Sequence, residues 1–399
     1  MKKNTYYITT PIYYVNALSI LSICWFTIIG VSMVLSSWGI INAEQAVFIA
    51  DVAWREDSLI RIARAEGMDK RRRIHEPVFA KGIYLTAATA GSKRVNDFIE
   101  LIRKTEINAV VIDIKDYSGW VSYDSNAKMA NTLHTERILI KNLPELLSSL
   151  KSEDIYTIAR IQVFQDPVLA ERRPDLAIQN KGGGVWKDFK GLAWLDPGSR
   201  EVWDYTIDLA KDVIEKGFDE VNFDYIRFPS DGRIGEAVYT HTAGRSKIDT
   251  INDFFAYLNE SLKDEPAFIS ADLFGMTLWS SSDFNIGQTL LGAASYFDYI
   301  SPMVYPSHYA DGFDGYANPA LYPYEIVSKN LKKGILTLEA ASSTANLRPW
   351  LQDFDLGATY THDMVRAQIR AAEELKTSGW FLWNASNNYT TSALAEDSR

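Results

Sequence analysis

The sequence is poorest in cysteine. Its single thiol, Cys24, lies inside an apolar N-terminal run, so no thiol nucleophile, disulfide framework or zinc–thiolate site is available to the rest of the chain. Five histidines, His75, His134, His241, His308 and His362, are scattered without HxH or HExxH spacing, which argues against a histidine-rich metal hydrolase. Positive charge is also short. The formal net charge is -10, so no global basic field attracts nucleic acid, and neutral substrates suit the chain better. The one basic triplet, Arg71-Arg72-Arg73, has no aromatic interleaving and reads as a solvated or lipid-facing patch. No GxGxxG follows the first strand-like run, and no Walker A sequence occurs.

What is present is apolar mass. Hydrophobic residues make up 47% of 399, enough for a sizeable core. Lys2 and Lys3 precede an uncharged stretch over 4–43 whose most apolar part is 17–34. That part is long for a secretory signal, and Ile41-Asn42-Ala43 is a poor cleavage site; the pattern predicts an uncleaved membrane anchor over a cleaved signal. Either puts the remainder outside the cytoplasm, in the cell envelope. Residues 44–80 read as a charged tether, 81–390 as the main domain and 391–399 as a tail.

From residue 81 strand-like and helix-like runs alternate. The strands are expected at 81–86 (KGIYLT), 108–116 (NAVVIDIKD), 154–164 (DIYTIARIQVF), 217–228 around VNFDYIRF, 267–273 (AFISADL), 299–305 (YISPMVY), 347–351 (LRPWL) and 379–383 (GWFLW). Helices are expected at 93–104, 143–150, 200–215, 248–262, 286–294, 324–345 and 364–376. Pro302 suggests a bulge in the sixth strand, and the long insert 168–197 has the character of a binding loop. Eight strand-then-helix units in about 310 residues predict an α/β protein of the (β/α)8 TIM-barrel class. A doubly wound sheet is the competitor, and it lacks its glycine fingerprint here.

In such a barrel the strand ends meet on one face. They bring Asp113, Lys115, Arg160, Asp224, Arg227, Asp272, Tyr305, His308, Gln352, Asp353 and Asn384, with Trp120, Trp186, Trp194, Trp279 and Trp350 on the rim. Glycosidic hydrolysis needs one protonated and one ionised carboxyl group. Asp224 and Asp272 come from neighbouring strands and are assigned as nucleophile or base and as acid, facing a shared open basin. Arg227 or Arg160 would keep Asp224 ionised, and the apolar company of Leu273 and Phe274 would raise Asp272. Asp113, Lys115, Arg160, Trp186, Trp194, Arg227, Tyr305, His308, Gln352, Asp353 and Asn384 are the expected substrate contacts. Each also has a plainer reading: Asp113 as a strand-end salt bridge, Asp353 as a loop cap, Trp350 as a core indole reaching one polar partner, His308 as incidental.

The ordered phrases KGIYLTAATAG (81–91), VVIDIKD (110–116), YTIARIQVFQDP (156–167), WLDP (194–197), FDYIRFPSDG (223–232), ISADLFG (269–275), SPMVYPSHY (301–309), RPWLQDF (348–354) and GWFLWNASN (379–387) resemble a bacterial family, the putative glycosyl hydrolase domain. The resemblance spans 81–389 and implies a TIM barrel related to glycoside hydrolases, without a substrate or established catalytic residues. The acids after strands four, five and seven are also similar in layout to amylase-like barrels, which carry Glu where this chain has Asp272. The expected function is hydrolysis of a polysaccharide or envelope glycan by two carboxylates, with no cofactor, no metal and no nucleic acid. The partners expected are the glycan and, through the N-terminal segment, a membrane. A non-catalytic glycan-binding barrel is the alternative, and a metal-assisted hydrolase using Asp113, Asp224 and Asp272 is a third.

Overall fold

A computed structural model describes residues 78–396. The anchor and most of the tether expected at the N-terminus lie outside the described residues, and among those described no helix is long and apolar enough to cross a membrane. Eight parallel strands close on themselves: β1 (Ala80–Leu85), β2 (Ala109–Lys115), β3 (Tyr156–Gln162), β4 (Glu220–Asp224), β5 (Phe268–Phe274), β6 (Tyr299–Met303), β7 (Trp350–Gln352) and β8 (Gly379–Trp383). Each pairs with its successor, and β8 pairs back onto β1 from Ala80↔Gly379 to Ile83↔Leu382. The helices α1 (Val95–Ile102), α2 (Leu143–Lys151), α3 (Arg200–Lys216), α4 (Lys247–Leu262), α5 (Leu290–Ala294), α6 (Pro323–Ala340) and α7 (His362–Glu374) connect them. The expected (β/α)8 barrel is therefore the observed fold.

Alternation along each strand divides the core in two, because successive side chains point to opposite faces. In β2, Val110, Ile112 and Ile114 face outward into the layer shared with the helices. Ala109 and Val111 face inward and join Tyr84, Tyr156, Ile158, Phe268, Tyr299, Trp350 and Phe381 in the barrel interior. Asp113 shares the inward parity, and a register shift after it sends Lys115 away, toward Asp166 and the helix-layer Tyr205. That parity decides which charged residues meet. The interior begins at the strand starts with a buried ion pair, Arg348 Nη1 donating to both oxygens of Glu220 at 3.0 and 2.8 Å. Further along, Asn222 lies beside Ser270, and then the acids gather at the strand ends.

Two expectations on strands change. The seventh is broken into Asn346–Leu347 and Trp350–Gln352, because Arg348 turns its side chain to Glu220 and Pro349 has no N–H for the ladder. β6 runs past Pro302 in unbroken register with β5, from Tyr299↔Ser270 to Met303↔Phe274, so it has no bulge there. Pro302 lies alongside the gap in β7, where a missing donor leaves no ladder bond unmade. The expected helix 324–345 ends at Ala340. Gly334 inside it is a close-approach position: a Cβ would lie 2.8 Å from Leu278 Cδ2. Residues 391–396 pack back on the barrel, with Ala395 N donating to Glu106 Oε1.

The insert after β3 folds on itself. Gln179↔Val185 and Lys187↔Ala193 bridges make a hairpin, and Gln179–Asn180 pairs with Ala237–Val238 of the loop that follows β4. Trp186 and Trp194 are the pegs of this unit, each burying about 200 Å² and worth roughly 4 kcal/mol in apolar burial.

Candidate active site

Arg160 stands at the centre. Its Nη1 donates to Asp113 Oδ1 at 2.6 Å, its Nη2 to Asp224 Oδ2, and its Nε lies 3.6 Å from Asp272 Oδ2. One guanidinium thus serves three carboxyl groups, all nearly sealed from solvent, with Asp224 3% and Asp272 1% exposed. Register explains the meeting. Asn222 pairs with Ser270, so Asp224 and Asp272, each two residues further on, occupy one layer of the lumen.

The carboxyl groups are not equivalent. Asp272 is pushed well above the ordinary carboxylate range, by burial first and by the neighbouring Asp224 second. Its Oδ1 accepts from Asn222 Nδ2 and Trp350 Nε1, both at 2.8 Å. Asp113 is pushed up to about 6, burial outweighing Arg160 and the Tyr84 hydroxyl that donates to its Oδ2. Asp224 accepts on both oxygens, from Arg160 and from the Tyr225 amide at 2.6 Å, an arrangement suited to an anion. With all three ionised the cluster would carry two unbalanced charges, which is the electrostatic reason Asp272 is pushed toward its protonated form.

The expected pair of acids is brought together, but in a closed basin rather than an open one. Tyr84 and Trp383 stack at 4.0 Å, with the Arg160 guanidinium 5.7 and 5.0 Å from their ring centroids. Tyr305 is close enough that Asp272 and Asp224 both raise its pKa, behind burial as the main cause, so its hydroxyl stays protonated. That hydroxyl has no hydrogen bond among the described residues and is absent from the sealed, unsatisfied groups.

Other expected contacts are placed elsewhere. Trp186 and Trp194 are buried, their indole N–H groups donating to Arg233 O and Asp188 Oδ2, which corrects the expectation that they line the rim as substrate contacts. Lys115 is sealed against Asp166 at 2.8 Å. Gln352 is spent on Ser307 N and Phe354 O. Asp353 accepts from Thr390 N and Oγ1, the plain loop-cap role. Asn384 ties its loop, donating to Asn388 O and accepting from Ser386. His308 is exposed beside Tyr305, and partial burial lowers its pKa. Arg227 makes no ion pair with Asp224; that task falls to Arg160 alone. Trp350 is the core indole with one polar partner, and the partner is Asp272.

Tyr84, Asn222 and Trp383 were missed. Their inward parity at strand ends was the available signal, but none is an acid, and Tyr84 and Trp383 stand inside the family phrases without being distinguished there. Among the described residues no three histidines, cysteines or acids are grouped to hold a metal. The guanidinium fills the place between the three carboxyls that a cation would take.

A parallel barrel with a buried acid cluster at its strand ends is a common enzyme architecture. The chain belongs to the putative glycosyl hydrolase domain family, whose profile matches residues 82–389. A hypothetical protein from Ruminiclostridium thermocellum ATCC 27405 is 39% identical over 48% of this chain and 96% of its own, with a TM-score of 0.44. The PgaB (BpsB) glycoside hydrolase domain from Bordetella bronchiseptica superposes with a TM-score of 0.56 at 13% identity, covering 80% of this chain and 99% of that one. A GH20 exo-β-N-acetylglucosaminidase from Vibrio harveyi gives 0.51 at 9% identity, over 80% and 54%. These two likenesses establish the fold. No curated protein matches the chain.

Proposed function

We propose that the protein hydrolyses glycosidic bonds of a polysaccharide or envelope glycan, with Asp272 as general acid and Asp224 as nucleophile or base. The carrying observation is the asymmetry of two carboxyl groups in one layer of the lumen: Asp272 is driven toward its protonated form while Asp224 accepts from Arg160 and a backbone amide. Such a split in proton affinity is what acid-assisted departure of a sugar oxygen requires. Tyr305, with its free hydroxyl beside both acids, is placed to donate to the sugar. Membership in the family supports the reading. An extracytoplasmic site of action is part of the proposal and rests on the apolar run over 17–34.

The burial of both acids favours a second reading, a barrel that binds glycan without cleaving it. Reducing-sugar release from a panel of glycans separates the two. Turnover by the wild type, lost in Asp224→Asn and Asp272→Asn, supports hydrolysis; binding without turnover, unchanged in both variants, supports the second reading.

A further inference from the structure

The described part of the molecule buries three arginines in its lumen and mouth: Arg160, Arg348 and Arg227. The first two are saturated with acceptors. Arg160 holds Asp113 and Asp224, while Arg348 holds Glu220, Ser378 O and Val78 O. Arg227 differs. It is 7% exposed, yet among the described residues no carboxylate pairs with it. Only its Nη1 is engaged, with Phe228 O at 3.0 Å and Ser230 Oγ at 3.4 Å. Nε and Nη2 have no partner and are not among the sealed, unsatisfied atoms, so they open to solvent.

Nearby acids are committed elsewhere or face solvent. Asp224 serves Arg160 and the Tyr225 amide; Asp188 accepts from Lys190 N, Leu192 N and Trp194 Nε1; Asp231 is solvent-exposed, acts on Arg227 through its charge and makes no ion pair with it. Three rings fix the guanidinium plane, with centroids 5.0 Å (Trp194), 4.8 Å (Tyr225) and 4.7 Å (Phe274) away. This explains the burial of Trp194, which supports the arginine. Arg227 follows Asp224 by three residues and lies near enough to feel its charge, and Phe274, which it stacks on, follows Asp272 by two, so the free edge lies at the mouth of the strand ends that carry the acids. Burying a guanidinium without an anion is costly, and cation–π contact recovers only part of that cost. An immobilised fork with one vacant edge has the shape that binds a planar oxyanion bidentately.

We infer that Arg227 recognises an anionic substituent of the substrate, a uronic-acid carboxylate, on the sugar seated next to the scissile bond. The inference rests on the carbohydrate reading above and sharpens it: the net charge of the chain favours a neutral glycan, whereas this site asks for an acidic sugar within it. Burial also lowers the pKa of Arg227, consistent with a cation that gains from meeting an anion.

The test is retention of the full-length protein on immobilised neutral, sulfated and uronate-containing oligosaccharides, with free D-glucuronate or D-glucose as competitor. Uronate-containing glycans should be retained about tenfold more strongly than neutral ones, weaken with salt, and be displaced by glucuronate but not by glucose. Arg227→Met should erase the preference, and Arg227→Lys should restore it only in part. A stronger response to sulfated than to uronate-containing glycans overturns the carboxylate assignment. Equal retention of neutral and acidic glycans, with both monosaccharides competing alike, overturns the role of Arg227 while leaving carbohydrate binding intact. Retention of no glycan overturns both. The competition on wild-type protein decides the matter even where a variant fails to fold.

Discussion

Arg160 is the residue on which the site turns, since among the described residues it is the one cation paired with three sealed carboxyl groups. Arg160→Met should destabilise the barrel by about 3–5 kcal/mol at neutral pH in chemical denaturation, and the loss should shrink on acidification as the stranded acids protonate. Asp272→Asn should behave in the opposite way. It removes a group that is costly to ionise beside Asp224, so stability should hold or rise, while turnover on any cleaved glycan should fall by about 100-fold or more. Circular dichroism and kinetics on the same preparation separate the two effects. At this scale the sequence was informative wherever parity was local: Asp113, Arg160, Asp224 and Asp272 meet because each faces inward in the C-terminal half of its strand. Trp350 as the partner of Asp272 was not legible, since the contact crosses the barrel and depends on the break at Pro349.

Among the elements, the strands were legible within a few residues because a parallel barrel buries both faces, and continuous apolar runs announce that. The insert after β3 was not. Its tryptophans have the composition of a binding loop, yet the hairpin folds onto the loop after β4 and turns them inward; Phe189, 76% exposed at its tip, is the aromatic left outside. Trp194→Ala should therefore cost about 3–5 kcal/mol of stability, whereas Phe189→Ala should change it by no more than about 0.5 kcal/mol, both read by denaturant titration. The closing seam offers a sharper test. Gly379 has φ +97 and a Cβ there would lie 1.9 Å from Ala80 O, so Gly379→Val should destabilise the protein by about 3 kcal/mol or more through the β1–β8 pairing.

For the whole molecule, the buried acids make stability depend on pH in an unusual direction. Asp113 and Asp272 bind protons more tightly folded than unfolded, so their contribution is complete below the unfolded carboxylate pKa and is lost as pH rises through the folded values, about 6 for Asp113. The melting temperature should rise as pH is lowered from about 8 to about 5, and Asp113→Asn should flatten that slope. The fold as a whole could be read from alternation and family phrases. The closure of the basin could not, because Tyr84, Trp383 and Tyr305 come together from three separate strand ends.

Release of reducing sugar by the full-length protein from acidic and neutral glycans, beside Asp224→Asn and Asp272→Asn, tests the central claim most directly. The wild type should release sugar from at least one glycan, with both variants folded and inactive. Release that survives either substitution, or binding with no release from any glycan, would contradict it.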